Sequence, residues 1–153
     1  MQIISVINQK GGVGKTTTVI NLAAGLSQLN KKILVIDLDP QGNATTGLGL
    51  SNMGNSSNTI YGVLNGTHEI ETVIQKTQFD NLDIITSNVD LSGLEVETAD
   101  DSNRAFILKT KLTPYLNNSR GSYDYVLVDC PPSLSLLTVM ALVCSNSLLV
   151  PLQ

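Results

Sequence analysis

Lys10-Gly11-Gly12-Val13-Gly14-Lys15-Thr16-Thr17 follows directly on the apolar run Ile3-Ile4-Ser5-Val6-Ile7. Strand, glycine-rich turn and helix start therefore stand in the order that a phosphate-binding loop requires. Successive glycines let the backbone curl tightly and aim N–H groups at phosphate oxygens from the N-terminus of a helix predicted to begin near Thr16. In that geometry Lys15 reaches the β and γ phosphates as a point charge and the Thr16 hydroxyl meets magnesium. Mg-ATP is the expected ligand, with Lys10, Gly11, Gly12, Val13, Gly14, Lys15, Thr16 and Thr17 as its binding residues. The ordinary spacing GxxxxGK[ST] fails, because Gln9 stands where its first glycine belongs, and GxGxxG fails at Thr17. The competing reading is a strand-to-helix turn that holds nothing.

Lys10 is the unusual residue, since a cation placed before the loop cannot easily fold back onto its own nucleotide. Acting across a subunit interface it would neutralise charge developing in a partner's transition state, as an arginine finger does, an effect of roughly 3 to 5 powers of ten in rate. A solvated loop lysine is the alternative. Two acidic segments complete the candidate site. Asp37-Leu38-Asp39-Pro40-Gln41-Gly42-Asn43 follows a second apolar run, where a parallel sheet brings residues at its carboxyl edge beside the phosphates. Asp39, farther out, is the candidate for orienting or deprotonating the attacking water, and Asp37 for holding the magnesium's water shell or the loop. A turn-forming role for Asp39 is the rival. Tyr125-Val126-Leu127-Val128-Asp129-Cys130-Pro131-Pro132 is an apolar strand ending in an acid, the Walker B arrangement, and Asp129 is expected to reach magnesium through water. The expected catalytic residues are thus Lys10, Lys15 and Asp39, and the expected metal residues Thr16, Asp37 and Asp129.

Runs of strand length recur at residues 2–8, 32–37, 82–86, 125–129 and 147–152, rich in Ile, Val and Leu without polar alternation. Such strands are expected to be buried on both faces. Helix-like segments cover residues 16–29, 105–116 and 133–143, with short helices at 59–64 and 69–76 and a loop at 51–58. The alternation predicts an α/β fold, a doubly wound, mostly parallel sheet of the P-loop NTPase type. Residues 1–153 read as one P-loop ATPase domain. A doubly wound sheet rarely ends on a central strand, so the domain is expected to continue past Gln153.

Composition narrows the function classes. The 153 residues are 42% hydrophobic with a net charge of -4, so no overall basic field draws the chain to nucleic acid or an anionic bilayer. No apolar run is long enough to span a membrane and no leader pattern stands at the start, which reads as cytoplasmic. Cys130 and Cys144 form no CxxC pair and are expected to be buried free thiols.

On these segments the chain resembles the ParA/Soj group of deviant Walker A ATPases, the motor proteins of plasmid and chromosome partition. Asn8 through Thr17 and Asp37-Leu38-Asp39-Pro40-Gln41-Gly42-Asn43-Ala44-Thr45 carry the likeness, and Ser87-Asn88-Val89-Asp90-Leu91-Ser92-Gly93-Leu94-Glu95 is similar to a further stretch of that group. The resemblance implies slow ATP hydrolysis with Asp39 as the hydrolytic acid. It implies an ATP-bound homodimer in which Lys10 reaches the partner's nucleotide and Gly11 lets the two backbones approach. It also implies a ParB-type partner that stimulates hydrolysis, and sequence-independent DNA binding, nucleoid-associated, through the part of such proteins that lies beyond this chain. Met140 and Thr86 depart from the pattern, standing where asparagine and proline are common. Two related classes share the loop. A MinD-like membrane-positioning ATPase is disfavoured by Pro40–Asn43, and an electron-transfer ATPase like nitrogenase iron protein by the position of Cys130. A nucleotide-binding remnant without activity is the remaining alternative.

Overall fold

The computed structural model describes residues 1–8, 12, 14–50, 58–118 and 122–152. Six strands form one sheet in the order β3-β4-β2-β5-β1-β6. They are β1 Gln2–Val6, β2 Ile33–Asp37, β3 Ile74–Lys76, β4 Leu82–Ile85, β5 Tyr125–Asp129 and β6 Ser147–Leu149. The helices are α1 Lys15–Gln28, α2 Asn43–Gly47, α3 Ile60–Leu64, α4 Ile70–Val73, α5 Leu94–Glu97, α6 Ile107–Asn117 and α7 Leu136–Cys144, with 3-10 turns at Val89–Gly93 and Arg104–Phe106. Every pairing is parallel except β3 with β4.

Because side chains alternate across a strand, each uninterrupted apolar run feeds two cores at once. Ile33 and Val35 of β2 and Leu127 of β5 join Val19, Ala23 and Leu48 under α1 and α2. Leu34, Ile36, Val126 and Val128 face the opposite way, onto Leu108, Leu112, Leu137 and Met140 of α6 and α7. The continuous hydrophobicity of β2 and β5 is the chemical statement that both faces are covered.

The register is what places chemistry. Val6, Asp37 and Asp129 lie side by side at the carboxyl ends of β1, β2 and β5, since Val6 pairs with Asp129 and Asp37 pairs with Asp129. After β1 the chain moves to β2 and β4 on one side; after β5 it crosses to β6 on the other. That reversal creates the crevice where doubly wound sheets bind ligands.

Three expectations need correction. Residues 69–76 form helix only through Val73; Ile74–Lys76 instead pair antiparallel with Ile85, Ile84 and Asp83. The β-branched Val73 and Ile74 suit a pleated edge better than a helix C-terminus. Residues 147–152 form strand only over Ser147–Leu149, which pair with β1. Helices α2 and α5 were not expected. Both are too short for a periodic pattern, and α2 starts from turn chemistry discussed below.

Candidate nucleotide site

Gly12 and Gly14 take positive φ, 76° and 82°, the left-handed region that only glycine enters without strain. Gly14 is the N-cap of the 14-residue α1, with no side chain capping the helix and no acid in its first turn. The first helical bond runs from Thr18 N to the Gly14 carbonyl at 2.8 Å, so the helix does not use the amides before it. An uncapped helix start with its positive dipole end free of acid is arranged for an anion. It opens on a cavity of about 370 Å³ whose walls are Gly12, Gly14, Lys15, Thr16 and Thr17 on one side and Asp39, Gln41, Asn43 and Pro132 on the other. Lys15 is 7% exposed in this wall. Lys10, Gly11 and Val13 lie outside the described residues.

The acids at the sheet edge do different things. Asp37 is fully buried, and both its oxygens are engaged: Oδ1 accepts from Asp39 N at 3.2 Å, while Oδ2 accepts from Thr45 N at 2.8 Å and Thr45 Oγ1 at 2.7 Å. Of the two roles expected for Asp37, holding the loop is the one these bonds describe. Burial lifts its carboxyl to about 6 against the pull of the Thr45 bonds. Asp39 forms the wall of the cavity. Its Oδ1 accepts from Gln41 N at 3.0 Å and its carbonyl from Gly42 N at 2.9 Å, which closes the turn Asp39-Pro40-Gln41-Gly42. Asp, Pro and Gly occupy the first, second and fourth places that such turns favour. Gly42, at φ 66°, is then the N-cap of α2. Among the described residues, Asp39 Oδ2 receives no protein donor.

Asp129 is fully buried, and its Oδ2 accepts from Thr16 Oγ1 at 2.8 Å. Its other oxygen, Oδ1, is buried with no hydrogen-bond partner. Burial raises its carboxyl to about 7, with the Asp37 charge adding to the rise and the Thr16 bond and Lys15 opposing it. A buried carboxylate oxygen without a donor is costly unless a cation completes it. Thr16, in the cavity wall, and Asp129, buried against its hydroxyl, supply hard oxygen donors, which suits magnesium. No cluster of three or more His, Cys, Asp or Glu side chains able to hold a metal occurs among the described residues, so the ion's remaining positions fall to water and phosphate, as is usual for magnesium at nucleotide sites.

Gln41 and Asn43 line the cavity without having been expected there, although both lie in a quoted stretch, and Pro132 lines it with them. Cys130 and Cys144 are free and buried, and burial pushes their thiols up to about 12 and about 11, out of the range of reactive thiolates. No helix among the described residues is long and apolar enough to cross a membrane.

A family model described as AAA domain matches residues 1–153. The chromosome partitioning protein ParA of Myxococcus xanthus is 45% identical over 152 residues, 99% of this chain and 52% of that protein. The sporulation initiation inhibitor protein Soj of Bacillus subtilis is 43% identical over 152 residues, 99% of this chain and 58% of that protein. The chain thus spans about half the length of these curated relatives. Cobyrinic acid a,c-diamide synthase from Mycobacterium smegmatis, crystallised with an ATP analog and magnesium, superposes with a TM-score of 0.92 at 36% identity, over 100% of this chain and 60% of that one.

Proposed function

This chain belongs to that AAA-domain family, and we propose that it is an ATP-binding, ATP-hydrolysing switch of the ParA type, serving plasmid or chromosome partition. One observation carries the reading: the pair Thr16–Asp129, with Asp129 Oδ1 buried and without a partner among the described residues, stands at the start of an uncapped helix whose first residues line the cavity. The partition relatives and the ATP analog and magnesium in the cobyrinic acid enzyme support it.

In this reading the loop amides and Lys15 hold the β and γ phosphates, and Thr16 and Asp129 hold magnesium, Asp129 through water. Asp37 keeps the neighbouring turn in place. The ion, when bound, offsets charge on the phosphate oxygens. Asp39, in the cavity wall, orients the attacking water or accepts its proton. Lys10 completes the site across an ATP-bound homodimer. A ParB-type partner that stimulates turnover and sequence-independent DNA binding belong to the same proposal for the whole protein. The experiment is ATP hydrolysis by the wild-type protein and by Asp39→Ala. The variant should bind ATP and turn it over no faster than buffer; equal rates in the two would overturn the assignment. Lys10→Ala should bind ATP yet fail to pair, and a normal ATP-dependent dimer by sedimentation would remove the trans role.

A further inference from the structure

We propose that Ser87 and Thr45 are positioning residues for Asp39, so that the exit of β4 sets the geometry of the water-activating turn. The inference rests on the ATPase reading above. It is carried by a closed circuit of hydrogen bonds around the backbone of one residue, Asp39. The Asp39 N–H donates to Asp37 Oδ1 at 3.2 Å, and Asp37 Oδ2 accepts from Thr45 Oγ1 at 2.7 Å and Thr45 N at 2.8 Å. Thr45 Oγ1, its proton given to Asp37, accepts from Ser87 N at 3.1 Å, and Ser87 Oγ donates to the Asp39 carbonyl at 2.7 Å.

Asp39 is therefore held at both ends, by its N–H through Asp37 and by its carbonyl through Ser87. Asp37, Thr45 and Ser87 are each 0% exposed, so water does not compete for these bonds. Every hydroxyl proton has one destination and every acceptor a donor, which fixes the directions of the circuit. Ser87 follows β4, and the next residue, Asn88, caps the turn Val89–Gly93 through Asp90 N at 3.1 Å. The stretch Ser87–Glu95, similar to the partition ATPases but without a role in the cavity, thereby acquires one: it anchors the catalytic turn from a different strand.

Misplacing a reacting group by about an ångström costs on the order of 100-fold in rate. Ser87→Ala and Thr45→Val should lower kcat about 10- to 100-fold while ATP affinity stays near wild type, and Thr45→Ser, which keeps the hydroxyl, should restore turnover. Unchanged kcat in both Ser87→Ala and Thr45→Val, or a loss of ATP affinity that accounts for the whole effect, would overturn the inference. If wild-type protein turns over no ATP, the ATPase reading fails first, and amide exchange then judges the circuit. Faster exchange at Gln41 and Gly42 in Ser87→Ala supports it; unchanged protection overturns it.

Discussion

Lys15 lines the cavity while Asp129 lies buried against the Thr16 hydroxyl with the opposite need, and the balance between them is the residue-scale logic of the site. Removing the ammonium in Lys15→Ala takes away a charge-assisted contact to phosphate of about 1.5–3 kcal/mol, so ATP affinity should fall roughly 10- to 150-fold, measurable by calorimetric titration. Asp129 presents the reverse case. Its carboxyl at about 7 and that of Asp37 at about 6 are both raised from 3.8. The folded chain thus keeps protons that the unfolded chain has released, and stability without nucleotide should decline as pH rises from about 4 to about 7, then level off. Asp129→Asn removes a buried charge crowded by Asp37. We expect it to stabilise the nucleotide-free protein by roughly 1–2 kcal/mol at pH 8, as relief of functional strain commonly does, and to flatten that pH slope. Urea unfolding midpoints across the pH range would measure both, and a less stable variant at pH 8 would contradict the crowding argument.

At the scale of elements, two turns end in glycines at positive φ that start α1 and α2, and neither has a side-chain cap. Gly42 has no intrinsic penalty at φ 66°, whereas a Cβ there costs about 1–2 kcal/mol. Gly42→Ala should lower stability by that amount and slow turnover through Asp39, whose carbonyl bonds Gly42 N at 2.9 Å. Unchanged stability would mean that the turn relaxes freely. How much of this was legible beforehand differs from element to element. Strands β2 and β5 could be read in full, because Ile33–Asp37 and Tyr125–Asp129 are uninterrupted and end in acids. The glycine turn before α1 and the acids ending β2 and β5 were visible for the same reason, that they stand where hydrophobic runs stop. Residues 74–76 were misread because three residues carry no periodicity and only their pairing with β4 makes them a strand. Thr45 and Ser87 gave no local sign of a function, since their bonds cross 42 and 48 residues of chain.

For the molecule as a whole, the carboxyl edge gathers pieces that the chain delivers from far apart: the loop after β1, the turn after β2 and the acid closing β5. No covalent link joins them there, and α1 reaches the turn after β2 only through packing and a shared cavity. A ligand that touches all three raises the cost of separating them, and binding to the folded state alone stabilises by RT ln(1 + [L]/Kd), about 2.7 kcal/mol at one hundred times Kd. For a chain of this size each kcal/mol corresponds to roughly 2–4 °C. Mg-ATP at that excess should therefore raise the melting temperature by roughly 5–10 °C. Chelating the magnesium should remove much of the gain, because the buried Asp129 Oδ1 would again lack a cation. Lys15→Ala, with its affinity lowered roughly 10- to 150-fold, should keep only about a tenth to a half of it at the same ATP concentration. A differential scanning series with wild type, Lys15→Ala and EDTA-treated samples separates these contributions. Equal melting temperatures with and without Mg-ATP in the wild type would remove the nucleotide from this cavity.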